Sequence, residues 1–451
     1  MASASPQDKI NPSSCRPQYC DVFLIQDQAH AIDSRNTGAR QLTQRLYYTD
    51  SSLLEFEATV CNVEKRDTGV VVSLDRSAFY PTGGGQNFDT GWLEQSRPNL
   101  RLRVKEVQEN EQTGDVLHRL DDSPEWLRVG EPVRGVIDFD RRRDHMQQHS
   151  GQHVLSAAFE RLFGYSTVSF HMGDELCTVD LSANAIGMSQ REAAERLANE
   201  IVAEDRPVEI RFATPDEARG MGVRKIPPAV REKLRLIDIH DFDLNACGGT
   251  HVRSTGQIGA ILLRKTEKVK QGVRVEFVCG LRAVGTARRD FQTLSDAAAV
   301  FSTHLWDVPE QVRKSLDGIK GAQKAQHRLL EEVAELQAAN LLRMTEERAI
   351  GSGQKLVVEF YADRDLAFIK MLAQKLIRLG RATVLLGCGG VQPSLVFAQT
   401  PGLTSDMGAL MKETLQKLGT RGGGTRDMAQ GGATDAARAE QALQEAASAI
   451  G

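Results

Sequence analysis

Short apolar runs, alternating or continuous and separated by glycine, aspartate and asparagine, fill residues 21–138. The runs around Thr59-Val60-Cys61, at 69–72, at 100–107 and at 133–137 have the length and β-branched content of strands. They predict a small β-rich domain with few helices. The texture changes at Asp138-Phe139-Asp140-Arg141-Arg142-Arg143. Residues 144–163 have helical composition and stop at Gly164, a residue suited to the left-handed position after a helix. Residues 167–172 and 176–181 alternate apolar and polar across Gly173-Asp174, which predicts a hairpin. Ser189 and Glu192 have capping-box spacing and open a helix through Leu197 and Ile201. Further strands are expected at 207–212, 234–239, 258–263 and 273–279, making 139–284 an α+β unit.

Val308, Val312, Leu316, Ile319, Leu330, Val333 and Leu336 then recur at spacings mostly of three and four, with Gly318 and Gly321 interrupting. This is the stripe of a long helix, packed within one chain or forming a coiled-coil seam. From 354 to 451, strand-like runs at 356–360, 383–386 and 394–398 mix with helical runs at 367–379 and 406–418, as in an α/β module. Arg421-Gly422-Gly423-Gly424 and Gln430-Gly431-Gly432 read as loops before a final Ala-rich helix.

Composition narrows the function classes. A chain of 451 residues, 41% hydrophobic and 26% charged, has material for several cores and is not wholesale disordered. A net charge of −4 excludes coating nucleic acid by bulk charge, so RNA contact must come from local basic patches. Seven cysteines, Cys15, Cys20, Cys61, Cys177, Cys247, Cys279 and Cys388, are too sparse for a disulfide scaffold and suit a reducing compartment. The Ser/Pro-rich residues 1–20 read as a flexible tail without a signal-peptide core, and no apolar run reaches membrane-spanning length. A cytoplasmic protein is expected.

The chemistry is concentrated in two short motifs. In His149-Ser150-Gly151-Gln152-His153, the i,i+4 spacing puts two imidazoles on one face of the predicted helix. In Cys247-Gly248-Gly249-Thr250-His251, two glycines suggest a tight turn that points a thiolate and an imidazole inward together. Three His and one Cys make a nitrogen/sulfur set suited to one tetrahedral Zn²⁺. A site closed by four protein ligands would ordinarily be structural, and the spacing does not decide between a structural and a catalytic ion.

These motifs, continued by Val252-Arg253-Ser254-Thr255-Gly256-Gln257-Ile258-Gly259 and by 270–277, resemble the editing domain of alanyl-tRNA synthetases and its free-standing relatives, the AlaX alanyl-tRNA editing proteins. Upstream, Phe79-Tyr80-Pro81-Thr82-Gly83-Gly84-Gly85-Gln86 with Asp89-Thr90-Gly91 resembles the glycine motif of the small barrel in longer members. The C-terminal glycine segments resemble the synthetase's terminal module. The resemblance implies a multidomain α+β protein. Its parts would be a small N-terminal β-barrel over 21–138, a zinc-containing α+β editing domain over 139–284, a helical or coiled-coil arm over 285–353 and a C-terminal α/β tRNA-binding-like module over 354–451. It leaves no room for an aminoacylation domain.

It also implies a zinc-dependent ester hydrolase acting in trans on alanine tRNA mischarged with serine or glycine, and a homodimer through the arm. A pocket that hydrogen-bonds the serine hydroxyl would spare alanine, which leaves that partner unpaired. Thr167 and Ser169 are candidates, on one shared face of their strand with Val168 pointing away. Gln152 is placed to position water or the ester, and Asp180, His171 and Asn245 are weaker candidates. Gly83, Gly84, Gly85 and Gln86 are candidates for touching the aminoacyl end, and Arg274 for the acceptor stem. Arg141–Arg143, Arg264, Lys265, Lys268 and Lys270 are candidates for the acceptor stem, and Arg421 and Arg426 for a more distal tRNA surface. The competing expectation is a non-catalytic tRNA-binding dimer with a structural zinc.

Overall fold

In the computed structural model the alternation of the N-terminal half closes on itself. Residues 42–66, 69–95, 100–122, 124–224, 226, 233–345 and 354–450 are described, and the tail 1–20 lies outside them. The first strands are β1 (Gln44–Arg45), β2 (Glu55–Arg66), β3 (Gly69–Leu74), β4 (Arg76–Ser77), β5 (Gly91–Gln95), β6 (Arg101–Glu109), β7 (Val116–Leu120) and β8 (Pro132–Ile137). Short β1 and β4 pair in parallel. The other six form a closed antiparallel barrel in the order β2-β3-β7-β6-β5-β8. The period-two pattern explains the closure: on β2, Phe56, Ala58 and Val60 face inward while Glu55, Glu57 and Thr59 face out. Inside, Val72, Leu74, Phe79, Leu93, Val104 and Leu120 fill the barrel. A buried polar pair joins them. Ser77 Oγ donates to His118 Nε2 at 2.7 Å, and His118 Nδ1 donates to Val72 O at 3.2 Å.

Helix α1 (Phe139–Phe163) begins five residues before the expected start and ends at Gly164, whose φ is 69°. It packs on an antiparallel sheet of order β14-β15-β10-β9, built from β9 (Thr167–Met172), β10 (Cys177–Leu181), β14 (Ile261–Val269) and β15 (Gly272–Cys279). Between these lie α2 (Met188–Ala203), β11 (Val208–Ala213), α3 (Pro215–Gly220), β12 (Leu234–Ile239) and β13 (Asp243–Ala246). Strands β11, β12 and β13 make a second, three-stranded sheet. The start of α2 differs from the expected Ser189 cap. Gly187 is the capping residue, and Gln190 Oε1 accepts its N–H at 3.0 Å. Val154, Leu155, Phe159, Val179, Val275 and Phe277 form the core between α1 and the larger sheet.

Residues to Thr293 make one compact unit and Leu294 onward a second, with α4 (Gly280–Val300) running across the division. In the second unit, α5 (Val308–Met344) packs Ala334 and Ala338 against α6 (Leu366–Leu379). Its residues 312–329 are exposed, including Val312, Leu316 and Ile319. Strands β16 (Lys355–Tyr361), β17 (Ala382–Cys388), β18 (Ser394–Gln399), β19 (Gly422–Gly424) and β20 (Met428–Gly432) make a sheet of order β16-β17-β18-β20-β19. Helices α7 (Met407–Leu418) and α8 (Ala436–Ile450) share a core with it. The two glycine segments expected as loops pair instead as β19 and β20. Absence of side chains permits their close backbone approach: a Cβ on Gly422 would lie 2.3 Å from Gln430 O. No helix among the described residues is long and apolar enough to cross a membrane.

Candidate metal centre

The two motifs, about a hundred residues apart in sequence, meet. His149, His153, Cys247 and His251 each present one ligand atom, and these atoms lie within 4.8 Å of one another. Cys247 Sγ is 3.3 Å from His149 Nε2 and 3.3 Å from His251 Nε2. A tetrahedral ion with bonds of about 2.0–2.3 Å needs edges of roughly 3.3–3.8 Å, so the cluster closes on an ion with small inward shifts. Helix α1 supplies the first pair on one face. The loop after β13 supplies the second pair and passes directly over His149. A Cβ on Gly249 would lie 2.1 Å from His149 Cε1, so that position must be glycine.

The outer contacts decide which ring nitrogens face inward. Each histidine ligand has its Nδ1 engaged from behind: His149 with Gln86 Oε1 at 2.8 Å, His153 with Asp243 Oδ2 at 3.3 Å, and His251 with Ser150 Oγ at 3.1 Å. That leaves three Nε2 atoms and one sulfur converging, the arrangement by which second-layer acceptors fix ligand tautomers. Arg224 holds Asp243 through both oxygens at 2.8 and 3.1 Å, and Val252 N–H donates to Ser150 Oγ at 3.1 Å.

The electrostatics match a ligand set. Burial alone would raise the Cys247 thiol, but the surrounding imidazole cluster, with hydrogen bonds from His149 and His153, holds it well below its ordinary value. Burial drives the pKa of His251 down to about 3, keeping it neutral. Burial also opposes charge on His153, yet hydrogen bonds to Asp243 and Cys247 outweigh it and raise its pKa to about 9. These shifts favour a thiolate beside a protonated His153, whose proton an entering cation would displace. Three nitrogens and one sulfur suit a borderline-soft divalent ion.

The remaining candidates are distributed unevenly. Thr167 and Ser169 do not share a face. The β9–β10 register shifts between Asp180 and Leu181, so Ser169 lies opposite Asp180 while Thr167 lies opposite Leu181. This bulge turns Thr167 to the side of buried Leu181, where Oγ1 is buried without a protein partner. On that side Phe170 stacks on His149 with centroids 5.4 Å apart. Ser169 donates instead to Asp180 at 2.8 Å, and Arg274 binds the same carboxylate at 2.8 and 3.0 Å. Gln152 is buried on α1, with Nε2 donating to Ser156 Oγ at 2.8 Å. His171 is exposed, and Asn245 Oδ1 is buried without a partner. Gly83, Gly84 and Gly85 form a turn beside β9, and Gln86 reaches the metal cluster itself. Reading the sequence missed Asp243, Ser150 and Thr250. Ser150 lies inside the first motif, but its contact with the second exists only in three dimensions.

The family model "Threonyl and Alanyl tRNA synthetase second additional domain" matches residues 234–275, which include Cys247 and His251. That of "tRNA synthetases class II (A)" matches residues 22–141. The alanyl-tRNA editing protein AlaX-L of Pyrococcus horikoshii is 29% identical over 86% of this chain and 94% of its own. The alanine–tRNA ligases of Pyrococcus abyssi and Natronomonas pharaonis are 33% and 35% identical, over 89% and 90% of this chain. The chain spans under half of each ligase, 43% in both cases. The C-Ala domain of Aquifex aeolicus alanyl-tRNA synthetase aligns with 23% of this chain and 94% of its own at 20% identity, with a TM-score of 0.20. A closed barrel joined to a three-His, one-Cys cluster thus accompanies a sequence similar to alanine–tRNA ligases and to an alanyl-tRNA editing protein. Along most of both chains it is similar to an alanyl-tRNA editing protein of the long AlaX form.

Proposed function

We propose that this chain is a trans-editing hydrolase that cleaves the ester of alanine tRNA mischarged with serine, and also glycine, without an aminoacylation activity of its own. The observation that carries the reading is the convergence of His149, His153, Cys247 and His251 with each imidazole held from behind. The likeness to an alanyl-tRNA editing protein along most of both chains supports it. Zinc is the ion that fits the donor set, and when bound it supplies Lewis-acid polarisation and substrate orientation.

The chain's own residues do the rest. Thr167 offers its unsatisfied hydroxyl to the hydroxyl of a seryl group, which an alanyl group cannot answer. Gln152 positions water or the ester. Gly83, Gly84, Gly85 and Gln86 border the aminoacyl end. Ser169 and Arg274, joined through Asp180 across the sheet, act at the RNA-facing side. On the same reading 21–138 and 139–284 are the barrel and editing domains, 285–353 is an arm that makes a homodimer, and 354–451 is a tRNA-binding module. The protein works in the cytoplasm.

Deacylation of Ser-, Gly- and Ala-charged alanine tRNA, with metal content measured on the same sample, tests the proposal. Seryl and glycyl esters are expected to be cleaved and the alanyl ester spared, while an intact seryl ester with stoichiometric zinc-loaded protein would falsify it. One observation favours a second reading: four protein ligands close a tetrahedral site, as in structural zinc, so the chain would bind tRNA without cleaving it. A His153→Ala chain that folds and binds tRNA but loses hydrolysis decides for the enzyme.

A further inference from the structure

The glycine motif has a task within the protein that its composition does not announce. Gly83 and Gln86 exchange backbone hydrogen bonds, N–H to O, at 3.1 and 2.9 Å. Gly84 and Gly85 turn the chain between them with φ of 56° and 81°, the left-handed region that glycine enters freely. The turn lies hard against β9. A Cβ on Gly85 would be 2.6 Å from Phe170 O, and Met172 N–H donates to Gly85 O at 2.9 Å. Tyr80 closes it from the barrel side, its hydroxyl donating to Gly83 O at 2.9 Å. Two of the turn's four amides are thus used on the turn itself, and its geometry delivers one side chain, fully buried Gln86, across to the neighbouring domain.

That side chain touches both halves of the ligand cluster. Gln86 Oε1 lies 2.8 Å from His149 Nδ1 and 3.0 Å from Thr250 N, while Gln86 Nε2 donates to Thr250 Oγ1 at 2.9 Å. The orientation of the amide follows from chemistry. The backbone N–H of Thr250 can only donate, so the Gln86 atom facing it must be oxygen. An oxygen facing His149 Nδ1 can only accept, so Nδ1 carries the proton and the Nε2 lone pair is free to face the ion. Thr250 lies between Cys247 and His251, so the same amide also fixes the loop bearing the second ligand pair.

We propose that Gln86 is a positioning residue of the metal centre, through which the β-barrel domain fixes the tautomer and ring orientation of His149 and the course of the 247–251 loop. The inference rests on the metal reading given under the proposed function. The barrel is then an integral outer layer of the centre as well as a neighbour of the substrate.

Cobalt(II) is the probe, because its visible spectrum reports ligand geometry. The full-length chain, stripped with a chelator, is titrated with Co²⁺ in competition with a chromophoric chelator, as wild type, Gln86→Leu and Gln86→Glu. Leucine removes both amide functions at similar volume, and a loss of about 10- to 100-fold in Co²⁺ affinity with an altered d–d spectrum is expected. Glutamate keeps the acceptor for His149 and Thr250 N and accepts from the Thr250 hydroxyl. It is expected to bind Co²⁺ more tightly than wild type, with a shifted spectrum. Wild-type affinity and spectrum in the leucine variant, or equal weakening in both variants, overturns this inference alone. A wild-type chain that takes up no Co²⁺ overturns the metal reading and this inference with it. Should the leucine variant fail to fold, the glutamate variant decides: tighter binding with a shifted spectrum sustains the proposal, and wild-type behaviour or weaker binding overturns it.

Discussion

Replacing Thr167 with valine separates a recognition role from a structural one. Thr167 Oγ1 is buried with no protein partner, and the bulge at Asp180/Leu181 turns it to the side on which Phe170 meets His149. Valine matches threonine in shape and favours strands, and it leaves no hydrogen bond of the folded chain unmade. The melting temperature should therefore not fall. The substrate feels the change: a hydroxyl–hydroxyl contact with the seryl group is lost, worth about 1–3 kcal/mol in a desolvated pocket. At 1.4 kcal/mol per factor of ten, that is roughly a 5- to 150-fold drop in kcat/KM for the seryl ester. The glycyl ester has no hydroxyl to lose and should change by no more than a few-fold. The assay is deacylation of seryl and glycyl alanine tRNA side by side, with thermal unfolding of the same preparations. Equal losses on both esters would mean that Thr167 only supports the fold, and an undiminished seryl rate would refute the recognition role.

Three further outcomes follow from the buried charges. Because His153 is raised to about 9 beside a thiolate, zinc binding near neutral pH should release about one proton, and affinity should fall toward tenfold per pH unit on acidification; calorimetry in buffers of different ionisation enthalpy detects the release, and none at pH 7 contradicts the assignment. Arg142 and Asp89 are both fully buried, with Arg142 also donating to Ser51 O and Ala78 O at 2.7 and 2.6 Å. Asp89→Ala strands the guanidinium and the Tyr80 N–H, at a cost of about 3–5 kcal/mol in urea unfolding, which Arg142→Met in the same chain should partly restore. Finally, burial depresses His118 from 6.5 to about 4, so the unfolded chain takes the proton first as pH falls. Its contribution, about 3 kcal/mol, is complete above pH 6.5 and lost between 6.5 and 4, so His118→Gln should flatten the acid limb of the stability profile.

The strand and helix periods were readable in the order of residues because each is a local rule. Alternation on β2 and on β10 and the terminal Gly164 of α1 are such cases. The ligand residues could be named because a helix converts i,i+4 spacing into one face wherever it occurs. Local rules fail where a neighbour decides. Thr167 and Ser169 part company because β9 sets an extra residue, Val168, against the single step from Asp180 to Leu181 on β10, a pairing decided only when the two strands meet. The C-terminal glycine segments become paired strands because bare backbones can approach one another closely. Gln86, Asp243 and Ser150 come to their histidines from a barrel turn, a second sheet and the same helix, across as much as a hundred residues. Spacing can nominate atoms able to bind an ion. Which nitrogen each imidazole turns inward depends on acceptors that folding alone brings behind the ring.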